Sequence, residues 1–140
     1  MSTAVSVIVA VDFVWLGMVL AISFLEAPLK FGAPGVTVPI GLGIGRVVFR
    51  ALNTVEAALA AAVVVCLLID QPGVPARVAL IVAIATLLAQ LLGVRPRLAR
   101  RTAAVLAGDD APRSHAHLAY VALEAVKVAA LLVAGVLLLA

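Results

Sequence analysis

Asp12, Glu56, Glu124 and Lys127 each stand inside a long apolar stretch of this 140-residue chain. Carboxylates in such a setting exchange protons or hold small cations, and an ammonium beside them tunes that exchange. A charge at the centre of a lone transmembrane helix costs ~2.5–3.5 kcal/mol even on the lenient insertion scale. These groups therefore need a shared interior, with one another or water as partners.

The elements that must supply that interior are four apolar segments, about 4–27, 46–69, 77–94 and 118–139. Each has the ~20 residues that a helix needs to cross a bilayer. With 66% hydrophobic and 12% charged residues and a mean hydropathy of +1.29, the chain lies far from the soluble range. The predicted fold is all-α: one integral membrane domain over 1–140, a four-helix transmembrane bundle. The net charge of +3 does not point to nucleic acid, because eight of the ten basic residues lie in or beside two loops. Lys30, Arg46 and Arg50 flank the first loop, and Arg95, Arg97, Arg100, Arg101 and Arg113 the third, whereas the opposite side has only Arg77. The positive-inside rule then places loops one and three in the cytoplasm and both termini outside, in a cell (inner) membrane. Asp70-Gln71-Pro72-Gly73 reads as a tight turn that makes a hairpin of spans two and three. The start of the chain has no basic n-region, so it reads as a retained helix rather than a signal peptide. Cys66 is the sole cysteine, which excludes an intramolecular disulfide.

At 100° per residue the polar side chains line up. Asp12, Trp15, Ser23 and Glu26 share an arc of the first helix; Arg46, Arg50, Asn53 and Glu56 share a face of the second. Thr86, Gln90, Gly93 and Arg97 align on the third, and Arg113, His117, Tyr120, Glu124 and Lys127 on the fourth. With a rise of 1.5 Å per residue, Glu56, Glu124 and Lys127 fall on the order of 10–15 Å from the cytoplasmic boundary. Asp12, entering from outside, comes within reach of Lys127. Asn53, Gln90 and Tyr120 make a shallower layer, while Glu26, Arg46, Arg50 and His117 rim the mouth. This geometry predicts a funnel open to the cytoplasm that narrows to Glu56, Glu124 and Lys127. The plainer reading of the same residues is a structural Glu124–Lys127 pair, with Asn53 and Gln90 as interhelical glue. On that reading Arg46 and Arg50 anchor lipid headgroups, and Trp15 and Tyr120 serve packing.

Two motifs suggest ligands. The run Gly41-Leu42-Gly43-Ile44-Gly45-Arg46 resembles an anion nest at a helix start, although it lacks the strand and spacing of a nucleotide fold. His115 and His117 offer imidazoles for a metal with Glu26 or Glu124, or His117 for a haem. Residues two apart on a helix point in different directions, so both histidines bind one ion only if that segment is not helical. The Glu-x-x-His pairs of a di-metal bundle are missing. Ser114 beside His115 has no oriented acid at obvious spacing, which argues against acyl transfer and against an enzyme generally.

From Ser23 to Phe31 the chain resembles the small four-helix membrane family of unknown function related to transmembrane protein 205. The shared features are Ala27, Pro28 and Phe31 at the exit of the first helix, and Gly45 with Phe49 at the start of the second. His117 opens the last helix, and Glu124 stands seven residues on, where that family often has Asn. The resemblance implies the same fold and membrane location, and no biochemical activity. The small multidrug transporters also have four helices and a membrane Glu, but the surrounding residues do not match.

The residues thus lead to a small polytopic membrane protein whose polar cavity binds or passes a small cation, a proton or a polar solute. Two other classes remain open. One is a membrane metal- or haem-binding redox protein using His117; the other is an accessory subunit of a membrane complex. The partners expected are the lipid bilayer and either further copies of the chain or another membrane protein.

Overall fold

A computed structural model describes residues 1–110 and 115–140. Arg113 and Ser114 lie outside the described residues. The described chain is helical, with four helices long and apolar enough to cross a membrane: α1 (Thr3–Lys30), α2 (Val38–Ile69), α3 (Val74–Leu106) and α4 (His115–Leu139). It is a multi-pass membrane protein built as a four-helix bundle. Exposed residues such as Leu25, Val65, Ile81, Leu92 and Val133 give it an apolar exterior suited to lipid.

Local sequence explains where the helices start. Ser2 caps α1, its hydroxyl accepting from Val5 N–H at 3.1 Å, and Thr37 caps α2, accepting from Ile40 N–H at 3.3 Å. Pro39 and Pro75 sit in the first turns of α2 and α3, where no amide hydrogen is needed. The second helix consequently begins well before residue 46, and the Gly41–Arg46 run is helical rather than a nest. Gly41 N–H already donates to the Thr37 carbonyl at 2.8 Å. Its missing side chain is used instead by the Phe31 ring, which lies where a Cβ would project. At 32 and 33 residues, α2 and α3 are about 48 and 50 Å long, well beyond the ~30 Å hydrocarbon core. Both overrun at the same end, where the Arg95–Leu106 tail of α3 packs on α2. We call this the basic end and the opposite one the hairpin end.

Helix α1 packs against α2 and α4, and α3 packs most extensively on α4. Helices α2 and α3 are joined by only four residues between Ile69 and Val74, yet they touch little below the basic end. Their seam holds an apolar groove of about 500 Å³, walled by Val64, Leu67, Leu68, Val74, Val78 and Ile81. Two apolar clusters fill the bundle axis. Trp15, Val19, Leu87 and Leu131 belong to the one nearer the middle, and Ile8, Val63, Leu80 and Leu138 to the one nearer the hairpin end.

Two prolines deform the helices inside the bundle. Pro28 and Pro96 each lack an amide hydrogen, and the preceding turns, Leu20–Glu26 and Gln90–Val94, are wound as π-helix. Ala27 N–H reaches back five residues to the Ile22 carbonyl, and Arg95 N–H to that of Gln90.

Close packing of α1 on α4 depends on Gly135, where a Cβ would fall 2.6 Å from the Phe13 ring and 2.8 Å from Asp12 Oδ2. Gly135→Leu is expected to destabilise the bundle by about 1–3 kcal/mol, the usual range for overpacking. Reversible unfolding in mixed micelles would measure it, and an unchanged transition would show that the α1–α4 contact is not tight.

Candidate functional site

All four helices contribute to one buried polar cluster around the Lys127 ammonium. Its Nζ lies 2.5 Å from Glu56 Oε1 of α2 and 2.6 Å from Glu124 Oε1 of its own helix. The third bond, 2.8 Å long, goes to Gln90 Oε1 of α3. The three ammonium hydrogens are therefore matched by three oxygens. Helix α1 supplies donors to the acids: Trp15 Nε1–H donates to Glu56 Oε1 at 2.9 Å, and the Ser23 hydroxyl to Glu124 Oε2 at 2.7 Å. Gln90 is fixed in turn, its amide nitrogen donating to Glu124 Oε1 at 3.3 Å and to the Tyr120 carbonyl at 3.4 Å. One oxygen is left over, because Glu56 Oε2 is buried without a partner among the described residues.

The cluster is dry and closed. Glu56 and Lys127 are 0% exposed, and Glu124 and Gln90 are 1% exposed, so hardly any of their surface borders a water-sized space. An open funnel is therefore not what the helices build. The approach from the basic end is filled by Phe49 and Tyr120, packed edge to face with centroids 6.0 Å apart. The Arg95 guanidinium lies 5.2 Å from the Phe49 centroid and 5.5 Å from that of Tyr120. Lys30 Nζ lies 5.6 Å from the Phe49 centroid, and it pairs with Glu26 at 3.6 Å.

The structure gathers Glu56, Glu124, Lys127 and Gln90 in one site, with Tyr120 as its wall on the basic side. The pairing is not the simple Glu124–Lys127 couple, since Glu56 shares the same ammonium. Asp12 is not part of it. It is fully buried beside Gly135, and neither carboxylate oxygen has a partner among the described residues. Asn53 is only half-buried, and none of the bonds to Lys127 involves it. Arg46 and Arg50 are exposed near the basic end.

The π-turns account for what uniform helical spacing misplaces. Gln90 is in the cluster, but at the next turn Arg95, not Gly93, faces the aromatic wall of the site, and Arg97, expected one turn further on, is exposed. A π-turn accommodates more residues than an α-turn, which advances the inward position from the expected one to Arg95. Pro96, directly after Arg95, is the sequence signal that marks this break. Trp15 and Ser23 already lay on the polar arc of α1; their roles as donors follow from the bundle. Phe49 is apolar and offered no such signal.

His115 and His117 are both in the first turn of α4, His115 exposed and His117 half-buried. Two positions apart on a helix, they diverge rather than chelate. Among the described residues no group of three or more His, Cys, Asp or Glu is placed to hold a metal ion. Comparison of the chain with protein-family models, with curated proteins and with solved structures finds no match.

The bonding pattern makes Lys127 costly to remove, because two buried carboxylates would be left without their shared counter-charge. Lys127→Met is expected to destabilise the fold by about 3–5 kcal/mol. Adding Glu56→Gln and Glu124→Gln should recover part of that loss. Unfolding in mixed micelles would compare the variants; a Lys127→Met protein as stable as the parent would rule out the shared ammonium as a structural tie.

Proposed function

We propose that this membrane protein takes up and releases protons at the Glu56–Glu124–Lys127 cluster, as one step in their passage across the bilayer. The observation that carries the reading is the arrangement of one ammonium between two buried carboxylates, with Glu56 Oε2 free of partners among the described residues. Two carboxylates and one ammonium leave one negative charge in a medium that solvates charge poorly. A proton on Glu56 Oε2 makes the cluster neutral and fits there without any cavity.

The same geometry argues against the other candidates. A polar solute needs space, and these side chains border almost none. A metal cation would compete for the three oxygens that the tethered ammonium of Lys127 already occupies. The proton is the cargo that requires least rearrangement.

The basic end carries Lys30, Arg46, Arg50, Arg95, Arg97, Arg100 and Arg101, whereas Arg77 is the only basic residue close to the hairpin turn. The basic end is then cytoplasmic and both termini are outside, in the cell (inner) membrane. Arg46 and Arg50 would meet lipid headgroups there. The resemblance to the family related to transmembrane protein 205 is consistent with this location and adds no activity. Alternating access is demanding for one 140-residue chain, so the reading includes assembly of two or more copies.

Purified protein in sealed vesicles containing a pH-sensitive dye tests the proposal directly. An imposed pH gradient should relax faster than in empty vesicles, and Glu56→Gln should return the rate to the empty-vesicle level while the protein remains helical. A Glu56→Gln protein that conducts as well as the parent would refute a proton step at this cluster.

A further inference from the structure

Asp12 is the one fully buried acid that the cluster does not use. It is 0% exposed, and neither of its oxygens has a partner among the described residues. Its surroundings are specific. On α4 it faces Gly135, the one residue type that leaves room for Oδ2 there, since any Cβ would come within 2.8 Å of it. On α1 it lies three residues, or about 4.5 Å of rise, from Trp15, whose indole N–H is bonded to Glu56. In the other direction Ile8 is one turn away and Val5 two turns away, and Val5 lines a cavity of about 510 Å³ at the hairpin end. Met1, Pro72, Pro75 and Leu138 form other parts of that cavity wall.

The charged groups around Asp12 are few. On α2 the nearest in sequence depth is Glu56, and on α4 Glu124 and Lys127, all on the basic side of Trp15 and bound to one another. On α3 the ionisable residue toward the hairpin end is Arg77, which is half-buried and bonded to Gln71. No ion pair to Asp12 forms among the described residues. A partnerless carboxyl in this setting adds nothing to stability that an apolar side chain would not, so packing gives no reason for an acid at this position.

We infer that Asp12 is a second proton-binding site, through which the Glu56–Glu124–Lys127 cluster exchanges protons with the hairpin-end cavity. The inference rests on the proton reading of that cluster and extends it to a two-site path. In the inward step water admitted between the helices carries the proton past Trp15: the O–H bond on Asp12 breaks as an O–H bond forms on the nearest water, and the last water of the file gives up a proton as an O–H bond forms on Glu56 Oε2. The carboxylate left on Asp12 then takes a proton from water admitted through the hairpin-end cavity. No redox partner is involved, and one proton is conserved at each transfer. Trp15 separates the two sites and holds Glu56 by its other oxygen, which leaves Oε2 for the transfer.

The experiment compares parent, Asp12→Asn, Asp12→Ala and Glu56→Gln proteins in the dye-loaded vesicles, with infrared spectra of the same samples. Expected for both Asp12 variants is proton movement slowed by roughly 100-fold, the lower figure for loss of a proton-transfer group. Both should also melt no lower than the parent, because they remove an unpartnered acid. The infrared band of a protonated buried carboxyl assigned to Asp12 should vanish in Asp12→Asn and persist in Glu56→Gln. Asp12 variants that conduct like the parent, while Glu56→Gln does not, would overturn the second site and leave the cluster reading in place. Lower melting in both Asp12 variants would overturn it too, by making Asp12 a structural residue. If Glu56→Gln also conducts like the parent, the cluster reading itself fails and the path with it.

Discussion

The bundle is organised by the shortage of partners for one buried ammonium. In lipid, apolar faces gain little by leaving their surroundings for each other, so helix association relies on packing and on polar contacts. Lys127 needs three acceptors and finds them on α2, α3 and α4, while α1 donates to the two carboxylates among them, through Trp15 to the same Glu56 oxygen and through Ser23 to the other oxygen of Glu124. Each helix is thereby tied to the same point. The loose seam between α2 and α3 fits this picture, because their contact is secured at the Lys127 cluster and the basic end rather than along their length.

The cluster also explains why the bundle tolerates two distorted helices. Pro28 and Pro96 interrupt regular hydrogen bonding, and each π-turn opens within reach of the polar site. In α1 the turn carries Ser23 toward Glu124; in α3 it starts at Gln90 and delivers Arg95 to the Phe49–Tyr120 pair. The aromatic pair then separates two polar zones of different character. On one side lie fully buried carboxylates with a single counter-charge; on the other, cations near the surface with Glu26 as their acid. Such a boundary is what a proton step in a membrane protein requires, since leakage between zones must be slower than transfer within the site.

The four spans, the all-helical class and the concentration of basic residues at one end were legible in the sequence, because each depends on composition summed over many residues. Glu56, Glu124 and Lys127 were legible as a group for a related reason, whereas Gln90 was expected in a shallower layer and joins them only in the bundle. A charged or amide side chain in hydrocarbon has few tolerable positions, and the bundle interior is one of them. Helical periodicity placed Asp12, Trp15, Glu56, Glu124 and Lys127 on buried faces, and it misplaced the α3 stripe after Gln90, where the π-turn alters the phase.

Tertiary structure alone decided which partners meet. Whether Asp12 joins Lys127 or stands apart beside Gly135 depends on the relative axial position of α1 and α4, a sum of contacts that no local pattern encodes. Whether the polar stripes enclose water or close on themselves depends on the bulk of Phe49 and Tyr120 and on how near the helices approach. The sequence by itself determined the solvent this protein lives in and the groups it must hide from it. The packing of four helices decided that those groups hide against one another, with one acid left alone.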